Sequence, residues 1–338
     1  ISASARLSAS YQLDLFGANA ASRAASVANL DAAIFDQRAL ELTLQSDVAT
    51  NYFNVLSARE RLEVARSNLA ISERIYEIVE VRYRAGAIAG FDVASQEAAL
   101  ANARARIPQL EAQIQGFETA LAILLSQTPQ GYTAPSGNLL SLTPPTIDPG
   151  LPSTLLLRRP DLMRAEANLR AADANVDAAR AAFFPSIDLG AGLSSLLTSG
   201  TDLTGSLTAS IAGTLFSGGR LEGQLDSAQA RVAGQVATYR QATLSALRDV
   251  DVSLKTIDTT ERRETDLAIA RDASARALDA AEIRYRSVSD DLTSLLNAQQ
   301  TYFNAADSYV QGHLDRLAAA INLYVALGGG WDGEDGAS

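Results

Sequence analysis

Arg82-Tyr83-Arg84-Ala85-Gly86 returns 202 positions later as Arg284-Tyr285-Arg286-Ser287-Val288. Two further anchors keep nearly that offset: Asp47-Val48 matches Asp249-Val250 at 202, and Leu15-Phe16 matches Leu215-Phe216 at 200. A two-residue insertion early in the second copy accounts for the difference. The chain is therefore two copies of one unit, each reading strand, very long helix, RYR turn, helix. A repeat of this length governs every later assignment, because an element placed in one copy is expected at the matching place in the other.

Punctuation fixes the helices. From Ala18 to Arg84 there is neither Pro nor Gly, a run of 67 residues, or about 100 Å of helix at ~1.5 Å per residue. Helices of compact domains average about 11–12 residues. A helix this long must pack along its whole side, as a coiled coil or a helical cylinder. The second copy, Gly219 to Arg286, lacks Pro, with interruptions expected at Gly223 and Gly234. Returning helices are expected over 91–127, with a kink or break at Pro108, and over 291–327. Pro129, Pro135, Pro144, Pro145, Pro149 and Pro152 mark 128–157 as the linker between copies. A further helix starts at Arg158-Arg159-Pro160-Asp161-Leu162, with Pro in the first turn and Asp beside the helix dipole, and runs to Phe183. The tail from Gly328 to Ser338 is expected to be disordered.

Residues 2–16 alternate apolar and polar without a break, the period of a strand with one apolar and one wet face. After Pro185 the pattern resumes at Ile187, Leu189, Ala191 and Leu193. It returns, past a turn at Thr198-Ser199-Gly200-Thr201-Asp202, at Leu207, Ala209, Ile211, Gly213 and Leu215. That is a hairpin of two matching strands. Alternation on three strands suits a transmembrane barrel. It predicts Ala3, Leu7, Leu13, Leu189, Leu193, Leu207 and Ile211 toward lipid, and Ser8, Asp188 and Ser210 toward the lumen. Phe183, Phe184 and Phe216 gather where strands meet helices, as an interfacial girdle or as a structural cluster. Lipid tolerates no open sheet edge, so three strands must share a barrel with other chains. Copy two shows two strands before its long helix and copy one shows one, so a helix and a strand are expected upstream of Ile1.

Composition narrows the function. A net charge of −11 argues against nucleic acid. The absence of Cys excludes disulfides and thiolate metal sites, and a single His leaves little room for a triad or a zinc centre. No enzyme and no cofactor are expected. No apolar run of about 20 residues is present, so nothing in this sequence crosses a bilayer as a helix.

Taken in order, Leu157-Arg158-Arg159-Pro160-Asp161-Leu162, Ala182-Phe183-Phe184-Pro185, Arg82-Tyr83-Arg84-Ala85-Gly86, Ile107-Pro108-Gln109-Leu110-Glu111 and Leu327-Gly328-Gly329-Gly330-Trp331 resemble the TolC family of bacterial outer-membrane factors. The likeness is strongest to the OprM-type branch of tripartite efflux systems and covers the whole chain. It implies a mainly α fold with a transmembrane β part: a homotrimer sharing one β-barrel above a long α-helical periplasmic barrel. The implied division gives 1–17 and 184–217 to the β-barrel and 18–127, 158–183 and 218–327 to the α-barrel, with tips at 84–91 and 286–291. The equatorial linker and tail are 128–157 and 328–338. The implied function is a passive exit duct for drugs, metals or other small molecules. It would sit in outer-membrane lipid, extend into the periplasm, and work with a periplasmic adaptor and an inner-membrane pump. Lipoprotein anchoring is common in the branch. Alternatives are a type I secretion duct and a non-transporting trimeric stalk or adhesin.

The resemblance also implies sites at the tip. Asp92, nine residues after Tyr83, is expected to pair with Tyr285. The Arg expected five beyond Tyr285 is Asp290 here, which removes the ionic half of that latch unless Arg284 or Arg286 substitutes. The inward Asp positions of the family read Ser294 and Asn297. Asp290 and Asp291 are then either a substitute ring at the constriction or helix N-caps. Arg82, Gly86, Arg284 and Val288 fall where the family's adaptor docks, although Gly86 is also what a left-handed turn requires. His313 is expected to be structural, and Arg158-Arg159 to bind equatorial carboxylates or carbonyls.

Overall fold

The computed structural model describes residues 3–145, 158–198, 200–287 and 291–329. The elements in chain order are β1 (Ala3–Leu13), α1 (Ala18–Arg84), α2 (Gly90–Leu124), a 3-10 turn (Leu139–Ser141), α3 (Pro160–Ala181), β2 (Ser186–Thr198), β3 (Gly200–Ala212), α4 (Arg220–Arg286) and α5 (Leu292–Ala326). The two long helices have 67 residues each and the two returning helices 35 each, so the repeat holds at the level of structure.

Four expectations are corrected. β1 stops at Leu13 although the alternation runs on to Phe16, because Asp14 turns its carboxylate to the start of α1. Its two oxygens accept from the Asn19 and Ala20 amides at 3.0 and 2.7 Å. The hairpin turn is tighter than 198–202, and its strands extend to Thr198 and from Gly200. α2 ends at Leu124 and not at Gln127, because Ser126 takes a left-handed conformation (φ 55°) and the Gln127 amide closes back on the Ala122 carbonyl at 2.8 Å. Finally, neither Pro108 nor Gly223 and Gly234 interrupts its helix. All three are exposed. A glycine in a helix costs about 1 kcal/mol but demands no break, which long lateral packing offsets. The tail call at 330–338 and linker residues 146–157 lie outside the described residues.

The chain divides into two compact units. One, Ile1–Ala39 with Ser153–Ala246, holds the sheet and the helical starts. The order β1-β2-β3 is antiparallel throughout. The register aligns Leu7 with Leu193, Tyr11 with Leu189, and Ile187 with both Leu13 and Ile211; the alternate rows align Ser8 with Gly192, and Asp188 with Gln12 and Ser210. The two faces are thus the two sets that the alternation separates, with Leu7, Leu207 and Ile211 strongly exposed in the isolated chain. The side chain of Ala3 lies outside the described residues. Spin labels at Leu189 and Asp188 are expected to report lipid and water respectively; reversed accessibility would refute this register for a membrane barrel. Below the sheet, Ala25, Ala28 and Ala32 of α1 and Ala165, Ala167, Ala171 and Val176 of α3 are buried. Such small side chains let helix axes approach closely. Phe16 stacks on Phe184 with ring centroids 4.6 Å apart, and Arg164–Asp36 and Arg170–Asp31 pairs join α1 to α3.

The other unit, Leu40–Pro152 with Leu247–Ser338, is helical. Its core is a series of small clusters: Ile75, Val79, Leu278, Tyr285, Leu292 and Leu295; then Leu62, Ala65, Leu110 and Phe303; then Val55, Leu121 and Ala134; then Leu56, Leu139, Val310, Leu314 and Leu317.

Candidate functional site

The end of α1 is closed by a two-bond C-terminal motif. The Gly86 amide donates to the Tyr83 carbonyl and the Ala87 amide to the Arg82 carbonyl, both at 2.9 Å. Gly86 has φ +72° with open space around it, so the turn itself requires glycine there. At the other end of the turn Asp92 is half-buried in the first turn of α2. Asp291 caps α5, accepting from the Ser294 amide at 2.8 Å, and this bond lowers its pKa. Capping is thus its observed contact. Asp290 and Val288 lie outside the described residues.

Tyr285 is 2 % exposed and belongs to the apolar cluster with Ile75, Val79 and Leu295. The Arg82 guanidinium lies 4.5 Å over its ring and donates to its backbone carbonyl at 3.2 Å. Burial pushes the Tyr285 phenol up, with Arg82 opposing and Asp92 adding to the rise. No hydrogen bond joins Asp92 to the Tyr285 hydroxyl, which is buried without a partner among the described residues. The pairing implied for these residues is therefore not formed: the apolar cluster takes in the ring and carries the hydroxyl with it. Tyr83 and Arg284 are exposed.

What joins α1 to α4 beside this cluster is an ion triad. Arg74 donates to both Glu282 oxygens at 2.9 and 3.0 Å, and Arg286 reaches the same carboxylate at 2.5 Å. The bond from Arg74 holds the Glu282 carboxyl below the usual range against the effect of burial. Arg286 is thus bound to Glu282 of its own helix, and not to Asp92 or the Tyr285 hydroxyl.

A polar layer sits in the same helices. Gln96 of α2 donates to the Ser72 carbonyl at 2.8 Å, and Gln299 of α5 donates to the Ser72 hydroxyl at 2.6 Å and to Asn68 Oδ1 at 3.0 Å. The two glutamines are 203 positions apart, one more than the repeat offset. Two further anchors hold the linker. Arg59 donates to Glu118 (2.7 Å) and to the carbonyls of Ala134 and Pro135 (both 2.9 Å). His313 lies between Glu264 and the Leu139 carbonyl, a structural role as expected. Arg159 forms a two-bond pair with Asp161, at 3.0 and 2.8 Å.

The carboxyls of Glu282, Glu264 and Asp161 all sit below their ordinary values. In Glu264 and Asp161 burial acts to raise the pKa and is outweighed, by His313 and Arg316 in one and by Arg159 in the other. A lowered carboxyl contributes stability above its unfolded value, about 4, that is lost as pH falls through the folded value. Melting temperature is therefore expected to be level from about pH 7 to 5 and to fall below about pH 4. Glu282→Gln should flatten part of that fall, and an identical acid limb in the variant would remove Glu282 from the set.

The family model described as outer membrane efflux protein matches residues 1–127 and 151–329. The chain belongs to this family. Among its relatives, the pyoverdine export outer membrane protein OpmQ of Pseudomonas aeruginosa is 38 % identical over 335 residues, which are 98 % of this chain and 71 % of OpmQ. The crystal structure of a membrane protein from Pseudomonas aeruginosa superposes with a TM-score of 0.90 at 30 % identity, covering 99 % of this chain and 82 % of that one. A crystal structure of CusC, described in terms of folding and transmembrane channel formation, gives 0.90 at 29 % identity, with 97 % and 78 % covered. Family membership carries the outer-membrane location, the TolC-like fold and the efflux role, and the family is one of channels, not of enzymes.

Proposed function

We propose that this chain is one protomer of a homotrimeric exit duct, set in outer-membrane lipid, that receives cargo through a periplasmic adaptor from an inner-membrane pump. The observation that carries this reading is the duplicated unit itself: a two-faced sheet feeding a 67-residue helix that turns back through a 35-residue one, twice. The cargo is a small solute, in line with relatives named for pyoverdine export, toluene efflux and cation efflux. The two tips, the first with Arg82 and Gly86 and the second with Arg284 and Val288, are the surface offered to the adaptor. Closure involves Tyr83, Asp92, Tyr285, Asp290 and Asp291, with the Arg74–Glu282–Arg286 triad holding α1 to α4 beside them. The pair is half-exposed on the Arg74 side, so each chain gains about 1 kcal/mol from it. Planar-bilayer recording of the full-length protein is expected to show a mostly closed pore whose open probability rises severalfold in Arg74→Ala. No conductance from either protein would refute the duct; equal open probability would take the triad out of closure and leave the duct standing.

A further inference from the structure

One joint between the repeats is made inside the chain, where α1 meets α4. Arg74 donates to Glu282, which also holds Arg286, and Arg82 lies over the Tyr285 ring. The bond to Glu282 first, and behind it the charge of Asp279, hold the Arg74 proton more firmly. Every one of these charges and the ring recurs at the repeat offset of 202. Arg74 returns as Arg276 and Arg82 as Arg284, while Asp279, Glu282, Tyr285 and Arg286 have their images in Glu77, Glu80, Tyr83 and Arg84. A second joint is thus written in the sequence with the helices exchanged: the reaching arginines are on α4, and the acids and the ring are on α1.

The chain makes half of that joint. Arg84 pairs with Glu80 as Arg286 pairs with Glu282. Arg276 is exposed and has no ion pair or hydrogen bond among the described residues. The Glu282 side chain, beneath Arg74, is 12 % exposed; that of Glu80, with no such cover, is 39 % exposed. One chain cannot complete the set. The joint it makes links residues 203 and 208 apart. Arg276 and Glu80 are 196 apart, out of that register by about two turns of helix. A second copy meets no such bar. In a ring where the repeats alternate, α4 of one copy stands to α1 of the next as α1 stands to α4 within a chain. The register of Arg74 on Glu282 then sets Arg276 on Glu80.

We propose that Arg276 of one copy binds Glu80 of the next, with Glu77 behind it, and that this pairing is the seam between protomers near the ends of α1 and α4. The inference rests on the homotrimer reading. In one respect the seam differs from the in-chain joint. Its charges are repeated but its apolar members are not: Ile75 and Val79 become Ala277 and Ala281, and Leu278 becomes Tyr76. The in-chain joint buries Ile75, Val79 and Leu278, a contribution that salt does not screen. The seam has methyl groups where that joint has branched chains, so it depends more on charge. Exposed charges are screened over about 8 Å at physiological ionic strength. The seam between copies therefore parts first, and more readily in salt, while the in-chain joint holds.

The experiment uses the full-length protein in detergent micelles. Arg276→Cys combined with Glu80→Cys, treated with a short bismaleimide, is expected to run as a covalent trimer on a denaturing gel. Arg74→Cys combined with Glu282→Cys should run as a monomer, its link being internal, and each single variant should also stay monomeric. A protein that is trimeric by native mass spectrometry but forms no link between positions 276 and 80 would overturn the seam alone. A monomer in that measurement would take down the homotrimer reading and the seam with it. In planar bilayers Arg276→Gln, a change at an exposed side chain, should raise the open probability severalfold, with Arg276→Lys between it and the wild type. An open probability unchanged in Arg276→Gln would overturn the order of parting.

Discussion

Replacing Arg59 by Ala is expected to destabilise the helical unit by about 3–5 kcal/mol. Glu118 is 7 % exposed, and its Oε1 accepts from Arg59 at 2.7 Å and from the Ala134 amide at 3.2 Å. Taking away the guanidinium leaves a buried carboxylate with one neutral donor, and leaves the Ala134 and Pro135 carbonyls without their cation. An unpaired buried charge costs far more than the pair itself contributes. Joint replacement, Arg59→Met with Glu118→Leu, should therefore recover most of the loss. Urea unfolding of the single and double variants measures both effects. A cost below about 1 kcal/mol for Arg59→Ala would show that Glu118 finds water, and that the linker is not held from this side.

The second large effect is expected at Leu295. It is fully buried against Ile75, Val79, Leu278, Tyr285 and Leu292, at the place where α5 begins and α1 and α4 are about to end. Around this cluster pack partly buried side chains such as Ile78, Val93 and Tyr302. Leu295→Ala should cost about 2–5 kcal/mol from lost burial and the cavity together. Leu295→Met, close in volume, should cost less than about 1.5 kcal/mol. The same unfolding measurement reads both. Equal costs for the two variants would mean that the cluster does not pack as a unit.

Much of this fold was legible because it is written in local signals. Absence of Pro and Gly bounded α1 to the residue, and period two found all three strands and assigned their faces. The offset of 202 then carried each element from one copy to the other. What failed locally failed for a local competing interaction: the Asp14 carboxylate drew the end of β1 into a helix cap, and Ser126 ended α2 early. The candidate sites were less legible, because they depend on which helices become neighbours. Arg61 meets Asp307 across 246 positions, and His313 reaches Leu139 across 174. Nothing in the flanking residues of either partner announces the other. The implied Tyr285–Asp92 bond is a different kind of miss. Its spacing was right, yet the ring's surface was better used inside the Ile75–Leu295 cluster than beside a carboxylate. Gln96 and Gln299 stand one residue off the repeat offset, and a neutral amide among apolar residues raises no alarm on its own.

On the polar face of the sheet, β3 folds its hydroxyls back onto β2. Ser206 turns toward the Gly192 carbonyl, Thr208 toward Gly190 and Ser210 toward Asp188, at 3.3–3.5 Å. The space they fill is the space a side chain on β2 would need: a Cβ at Gly190 would stand 2.7 Å from Thr208 Oγ1, and one at Gly192 would stand 2.8 Å from Ser206 Oγ. Hydroxyl and missing side chain are two halves of one volume, so a side chain at either glycine would displace the hydroxyl facing it. This face is a wettable skin whose hydroxyl donors already have a backbone acceptor. It is a glaze, with its hydroxyls turned inward to the backbone.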